Sequence, residues 1–153
     1  MPIRRILVPI DFSSGSLRAL DYACELGRGL GVELLLLYVF EPFDFAGYSE
    51  SFLPPPQLTQ VIGEHHAKAR ERLNRLAAET AARGPRTRAM LLDGFPAQKI
   101  VEVVRAEGID LVVMGTLGRT GMPHLLLGSV AEKVVRLAPC PVLTVRSAAP
   151  PGP

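Results

Sequence analysis

Cysteine is scarce: Cys24 and Cys140 are the only two thiols among 153 residues. Neither stands in a His/Asp arrangement that would activate it. Both read as buried, inert side chains of a reducing compartment, which excludes a disulfide scaffold. Lysine is scarce too, present only at 68, 99 and 133. No stretch of 18 apolar residues occurs and no signal peptide is read, so the expectation is a cytoplasmic chain with no membrane partner. A formal net charge of +2 is too small to argue for nucleic acid. The local concentration of Arg70, Arg72, Arg75, Arg83, Arg86 and Arg88 is interrupted by Glu64, Glu71 and Glu79, and no aromatics interleave on that helix. It reads as a solvated face. The Walker A pattern and the G-x-G-x-x-G fingerprint are both missing, and His65 and His66 lack a third ligand at metal spacing.

What is present is a 48% hydrophobic, 21% charged chain, enough for one core-forming domain over 1–146 followed by a disordered tail, 147–153. Strand and helix patterns alternate throughout. Ile3 to Ile10 is an apolar run. Ser13-Ser14 can cap a helix to about Leu30, with Leu17, Leu20, Cys24 and Gly27 as its stripe and Gly29 and Gly31 as its stop. Glu33 to Val39 is a second strand, and its unbroken Leu34 to Leu37 run fits a strand covered on both faces. A long loop, 40–56, is rich in Phe and Pro. The helix expected from Gln57 to Arg83 carries Val61, His65, Ala69, Leu73, Leu76 and Ala77 on one face. Arg86 to Leu92 is a strand, Pro96 opens a helix to Glu107, and 110–114 and Pro141 to Val145 are the last two strands. The pattern predicts an open parallel α/β sheet with helices on both faces, a three-layer Rossmann-like architecture.

Ligands of such sheets bind beyond the C-terminal strand ends. There Gly115-Thr116-Leu117-Gly118, nine residues and Gly128-Ser129 lie between a strand and a helix. Glycines at that junction let backbone N–H groups approach a phosphate, favoured by the helix dipole; they equally suit a tight turn. Ser129-Val130-Ala131-Glu132 matches the S-x-x-E capping box, so Ser129 is either a cap alone or a cap that also meets a ligand through the amides of 128–130. Asp11 is either a turn residue or a carboxylate that accepts a ribose hydroxyl's hydrogen bond, in the same crevice as Gly115 if strands one and four are neighbours. Arg119 can pair with phosphate oxygens or sit solvated in its loop.

These residues resemble the universal stress protein family over about 3–146. The opening Ile6-Leu7-Val8-Pro9-Ile10-Asp11-Phe12-Ser13 is similar to its first strand and turn, and Asp93-Gly94-Phe95-Pro96-Ala97 to its third-strand exit. Asp110 to Gly121 and Leu125 to Pro141 are similar to its C-terminal signature. The resemblance implies a sheet of order 3-2-1-4-5. Its ATP-binding branch carries G-x2-G-x9-G-[ST], which Gly115, Gly118, Gly128 and Ser129 match without a gap. It further implies Pro9, Asp11 and Val39 at the adenosine end, Met114 and Gly115 under the ribose, and Gly118, Gly128, Ser129 and Val130 at the phosphates, with no side-chain contact carried to Thr116 or Leu117. Mg²⁺ would bridge the phosphates. The family commonly dimerises through its last strand, here Val142 to Val145. The expectation is a homodimeric ATP-binding sensor or adaptor in the stress response, read by an unidentified downstream protein. The alternatives are a slow ATP hydrolase, for which no Gln, Glu or Asp lies in the phosphate turn, and a nucleotide-free dimeric interaction protein.

Overall fold

The computed structural model describes residues 2–41, 56–117 and 127–147. Five strands alternate with four helices: β1 (Arg5–Pro9), α1 (Ser14–Leu30), β2 (Glu33–Phe40), α2 (Pro56–Ala82), β3 (Arg86–Asp93), α3 (Pro96–Ala106), β4 (Leu111–Gly115), α4 (Ser129–Leu137) and β5 (Val142–Val145). The strands pair in parallel in the order β3-β2-β1-β4-β5. Parallel neighbours require a crossover, and each crossover here contains one helix.

The apolar runs are unbroken because both sheet faces are covered. Ile6, Val8, Leu34, Leu36 and Tyr38 pack under α1 and α2 with Leu20, Cys24 and Leu73. The alternate residues Leu7, Leu35, Leu37, Val39, Val112 and Met114 pack under α3 and α4 with Ile100, Val104 and Val134. Each fully buried Leu or Ile contributes about 1.5–3 kcal/mol. Of the α1 stripe, Leu20, Cys24 and Gly27 are buried and Leu17 is half-buried, while Ala19 and Ala23 join the core. Ser13 caps the helix, its Oγ accepting from the Ser16 amide at 3.2 Å, and Gly31 ends it at φ 63°. Burial pushes the Cys24 thiol up, as an inert core cysteine requires.

Two expectations are corrected. On α2 the inward face is Ile62, His66, Ala69, Leu73, Leu76, Ala77 and Thr80, whereas Val61 and His65 are exposed. The phase is one residue off in the first turns, where His66 sits edge-on to Phe40 and meets Asp93 at 3.0 Å. On α4 the N-cap is Gly128 and Ser129 is the first helical residue, with no side-chain cap. Glu132 pairs with Arg136 at 2.8 Å rather than folding back, so the capping box does not form. The loop 42–55, residues 118–126 and the tail 148–153 lie outside the described residues. No described helix is long and apolar enough to cross a membrane.

Candidate nucleotide site

The strand order places the C-terminal ends of β2, β1 and β4 side by side, and a cavity of about 430 Å³ opens above them. Pro9 and Asp11 enter it from the end of β1, Leu37, Val39 and Glu41 from β2, and Met114 to Leu117 from β4. Pro96 and Ile100 of α3 close one side, and Gly128 to Ala131 at the start of α4 close another. Of the sequence-derived site residues, Pro9, Asp11, Val39, Met114, Gly115, Gly128, Ser129 and Val130 all line this space. Gly118 and Arg119 fall outside the described residues.

Chemistry is distributed unevenly along the wall. Leu37, Val39, Ile100 and Met114 make an apolar part beneath β2 and β4. The α4 end is polar through its backbone. Glu132 N–H donates to Gly128 O at 2.9 Å, the first helical bond, so the amides of Ser129, Val130 and Ala131 have no acceptor within the helix. The helix dipole adds positive potential there. The Gly128 amide is already committed to Thr116 O at 2.6 Å. That bond sets where α4 begins: it holds Gly128 extended (φ −72°, ψ 163°), and the helix starts one residue later. Thr116 N–H in turn donates to Val145 O at 3.0 Å, so β5, β4 and α4 are joined through one residue. The described lining includes two carboxylates, Asp11 and Glu41, and no Lys, Arg or His.

Asp11 is both the turn residue and a wall of the cavity. Its Oδ1 accepts from Ser13 N–H at 2.9 Å and from Ser13 Oγ, while no described group donates to Oδ2. The next residue, Phe12, has φ 62°. A bulky side chain in that left-handed region costs about 1–2 kcal/mol. Its ring lies 5.4 Å from Tyr38 and under the Arg72 guanidinium at 4.0 Å. Such contacts are worth roughly 0.5–1.5 kcal/mol each, enough to offset the strain.

Gly115 is a glycine for a steric reason independent of any ligand. A Cβ there would stand 2.8 Å from the Gly15 carbonyl carbon and 3.1 Å from Ser16 N. A Cβ on Gly15 would come within 3.0 Å of Leu117 O and Ser147 Oγ. The first turn of α1 and the end of β4 thus touch backbone to backbone. Sequence reasoning missed Gly15, Glu41, Pro96, Ile100 and Thr116. The strand-end rule that found Asp11 would have found Glu41 and Thr116; the other three need knowledge of which elements meet. No cluster of three or more His, Cys, Asp or Glu able to hold a metal occurs among the described residues.

The match to known proteins covers the whole of this architecture. The model of the universal stress protein family matches residues 2–146. A universal stress protein encoded beside a sulfhydrylase gene in Thermus aquaticus is 37% identical over 146 residues, spanning 94% of this chain and 98% of its own. Universal stress protein MJ0531 of Methanocaldococcus jannaschii is 34% identical over 147 residues, 94% of this chain and 82% of its own. Among solved structures, MJ0577 of the same archaeon superposes with a TM-score of 0.84 at 25% identity, over 98% of this chain and 100% of its own. A universal stress protein in complex with cAMP gives 0.71 at 23%, over 97% and 100%. The universal stress protein from Archaeoglobus fulgidus in complex with dAMP gives 0.65 at 24%, over 94% and 98%. These last two establish the shared fold. By fold, by strand order and by a family match across nearly its entire length, the chain belongs to the universal stress protein family.

Proposed function

We propose that this chain binds an adenine nucleotide, ATP with Mg²⁺, in the cavity above β1, β2 and β4, and acts as a cytoplasmic stress-response sensor or adaptor. The observation that carries the reading is the set of three first-turn amides, Ser129, Val130 and Ala131, without a helical acceptor at one end of a cavity whose β2 and β4 wall is apolar through Leu37, Val39 and Met114. In this reading the base would lie over the β2 side, the ribose at Asp11 after β1 and the phosphates at the β4–α4 junction, an arrangement the strand order allows. Asp11 would accept from a ribose hydroxyl through Oδ2. With no cation in the described lining, Mg²⁺ would carry much of the phosphate charge. That ion characteristically relies on phosphates and water more than on an all-protein cage. Relatives of the same fold described in complex with cAMP and dAMP support an adenosine ligand. The family resemblance implies Gly118 at the phosphates, and Arg119, which can pair with phosphate oxygens or sit solvated, is included in the same proposal.

The test is calorimetric titration with MgATP, after denatured protein has been assayed for co-purified nucleotide. Ser129→Pro is the informative variant. It deletes one first-turn N–H at a helix position that accepts proline, behind a Gly128 already extended as a pre-proline residue must be. The expected result is a Kd on the order of micromolar, weakened about tenfold by the variant with no loss of helix. Absence of both heat and co-purified nucleotide would overturn the reading. Occupancy would reach a downstream protein through residues 42–55, between β2 and α2, or through a homodimer formed at β5; a proteolysis pattern identical with and without MgATP would count against that segment.

A further inference from the structure

Phe12 and Asp11 are consecutive but serve opposite faces of the sheet. Asp11 lines the cavity on the side covered by α3 and α4. The Phe12 ring packs on the other side, in the cluster of Val8, Tyr38 and Leu73 beneath α1 and α2. The chain achieves this split by taking Phe12 through φ 62°, the one non-glycine positive φ among the described residues. Such a conformation persists only when its surroundings hold it. Here Tyr38 holds the ring from β2, and Arg72 of α2 lies over it at 4.0 Å.

We propose that Phe12, clamped by Tyr38 and Arg72, is a positioning residue for Asp11: the anchored ring fixes the turn whose carboxylate faces the ligand, and so ties the cavity to α2. The proposal rests on the nucleotide reading above and adds to it residues that never touch the ligand. The chain of contacts is short. The ring fixes the Phe12 backbone, the backbone fixes Ser13, and Ser13 N–H and Oγ hold Asp11 Oδ1. Ser13 Oγ also accepts from the Ser16 amide at 3.2 Å, so loosening the ring loosens the whole start of α1. A glycine at position 12 would adopt the same φ without strain and would lack the anchor.

The experiment is a double-mutant cycle read by MgATP calorimetry on the full chain, with Phe12→Gly, Arg72→Met, Asp11→Ala and the doubles of each with Asp11→Ala. Expected are losses of about tenfold for Phe12→Gly and about threefold for Arg72→Met, and no further loss when either is added to Asp11→Ala. Wild-type affinity in Phe12→Gly, or losses that multiply in the doubles, would overturn the proposal, because a merely structural residue does not act through Asp11. Amide-resolved hydrogen exchange without ligand supplies a second arm. Arg72→Met leaves the turn's own residues unchanged, so faster exchange at Ser13 in that variant supports the clamp and unchanged protection overturns it. This arm also decides the matter if Phe12→Gly does not fold. If the wild-type chain binds no adenine nucleotide, the ligand reading fails while the exchange result still judges the positioning role.

Discussion

At the scale of single residues, the contact between Gly15 and Gly115 is the sharpest constraint. An alanine at 115 must push a carbon into the Gly15 backbone, where no flexible side chain can yield. Gly115→Ala should therefore destabilise the fold by about 1–3 kcal/mol, seen as a lowered melting temperature. Asp110 gives a prediction with a pH signature. Amides of Arg4 and Arg5 donate to its Oδ2 at 2.8 and 2.9 Å and hold its carboxyl below the usual carboxylate range. A depressed carboxylate contributes stability that is complete above its unfolded value, near 3.8, and lost as pH falls through the lower folded value. Asp110→Asn should cost about 1 kcal/mol at neutral pH, a low figure because solvent screens the site. The melting difference from wild type should close as the solution is acidified below about that pH. The sequence made the glycines and Asp11 visible as chemistry, since they sit beyond strand ends. It could not show that Gly115 answers to Gly15 a hundred positions away, because close approach is a property of two elements together.

Elements were legible where one period dominates. Leu34 to Leu37 read as a strand buried on both faces, and the three- and four-residue spacing of Leu20 and Cys24 read as a core stripe; both are buried. The first turns of α2 were ambiguous because Val61 and Ile62, then His65 and His66, offer two phases of equal chemistry. Tertiary contacts with Phe40 and Asp93 select the second. Leu73→Ala, at a side chain 1% exposed, should then cost about 2–5 kcal/mol. Val61→Ala, at a side chain 41% exposed, should stay within about 0.5 kcal/mol. Chemical denaturation of the two variants compares them directly. The start of α4 was misread for a related reason. A capping box is a local signal, and the bond from Gly128 N–H to Thr116 O overrides it by fixing the residue before the helix.

For the whole molecule, β5 is one of the two edge strands of the sheet, β3 being the other. It pairs with β4, and its other edge carries no partner strand among the described residues. Leu143 on this strand is 40% exposed. A second copy pairing there would cover the open N–H and C=O groups. If the homodimer forms at this edge, Leu143→Arg should convert a dimer to a monomer in sedimentation velocity while leaving the melting of the sheet largely intact. A chain that sediments as a monomer before mutation would remove that interface. The architecture itself was open to sequence reasoning because alternation of strand and helix restricts the topology severely. The strand order came from family resemblance, since no local pattern reports which strand lies beside which.

The pairing of β1 with β4 has a temporal consequence. Asp110, just before β4, and the Arg4 amide it binds are 106 positions apart, and Gly15 meets Gly115 at the other end of the same strand. Contacts so distant along the chain close late in folding, after the loop entropy between them has been overcome. Until β4 docks, Asp11 faces no opposite wall and the cavity does not exist. If a nucleotide binds there as proposed, it can recognise only finished molecules. At a hundred times its Kd it would hold them folded by about 2.7 kcal/mol. Abundance of the protein would then follow the cell's nucleotide supply through survival of the folded chain, with no change in its synthesis.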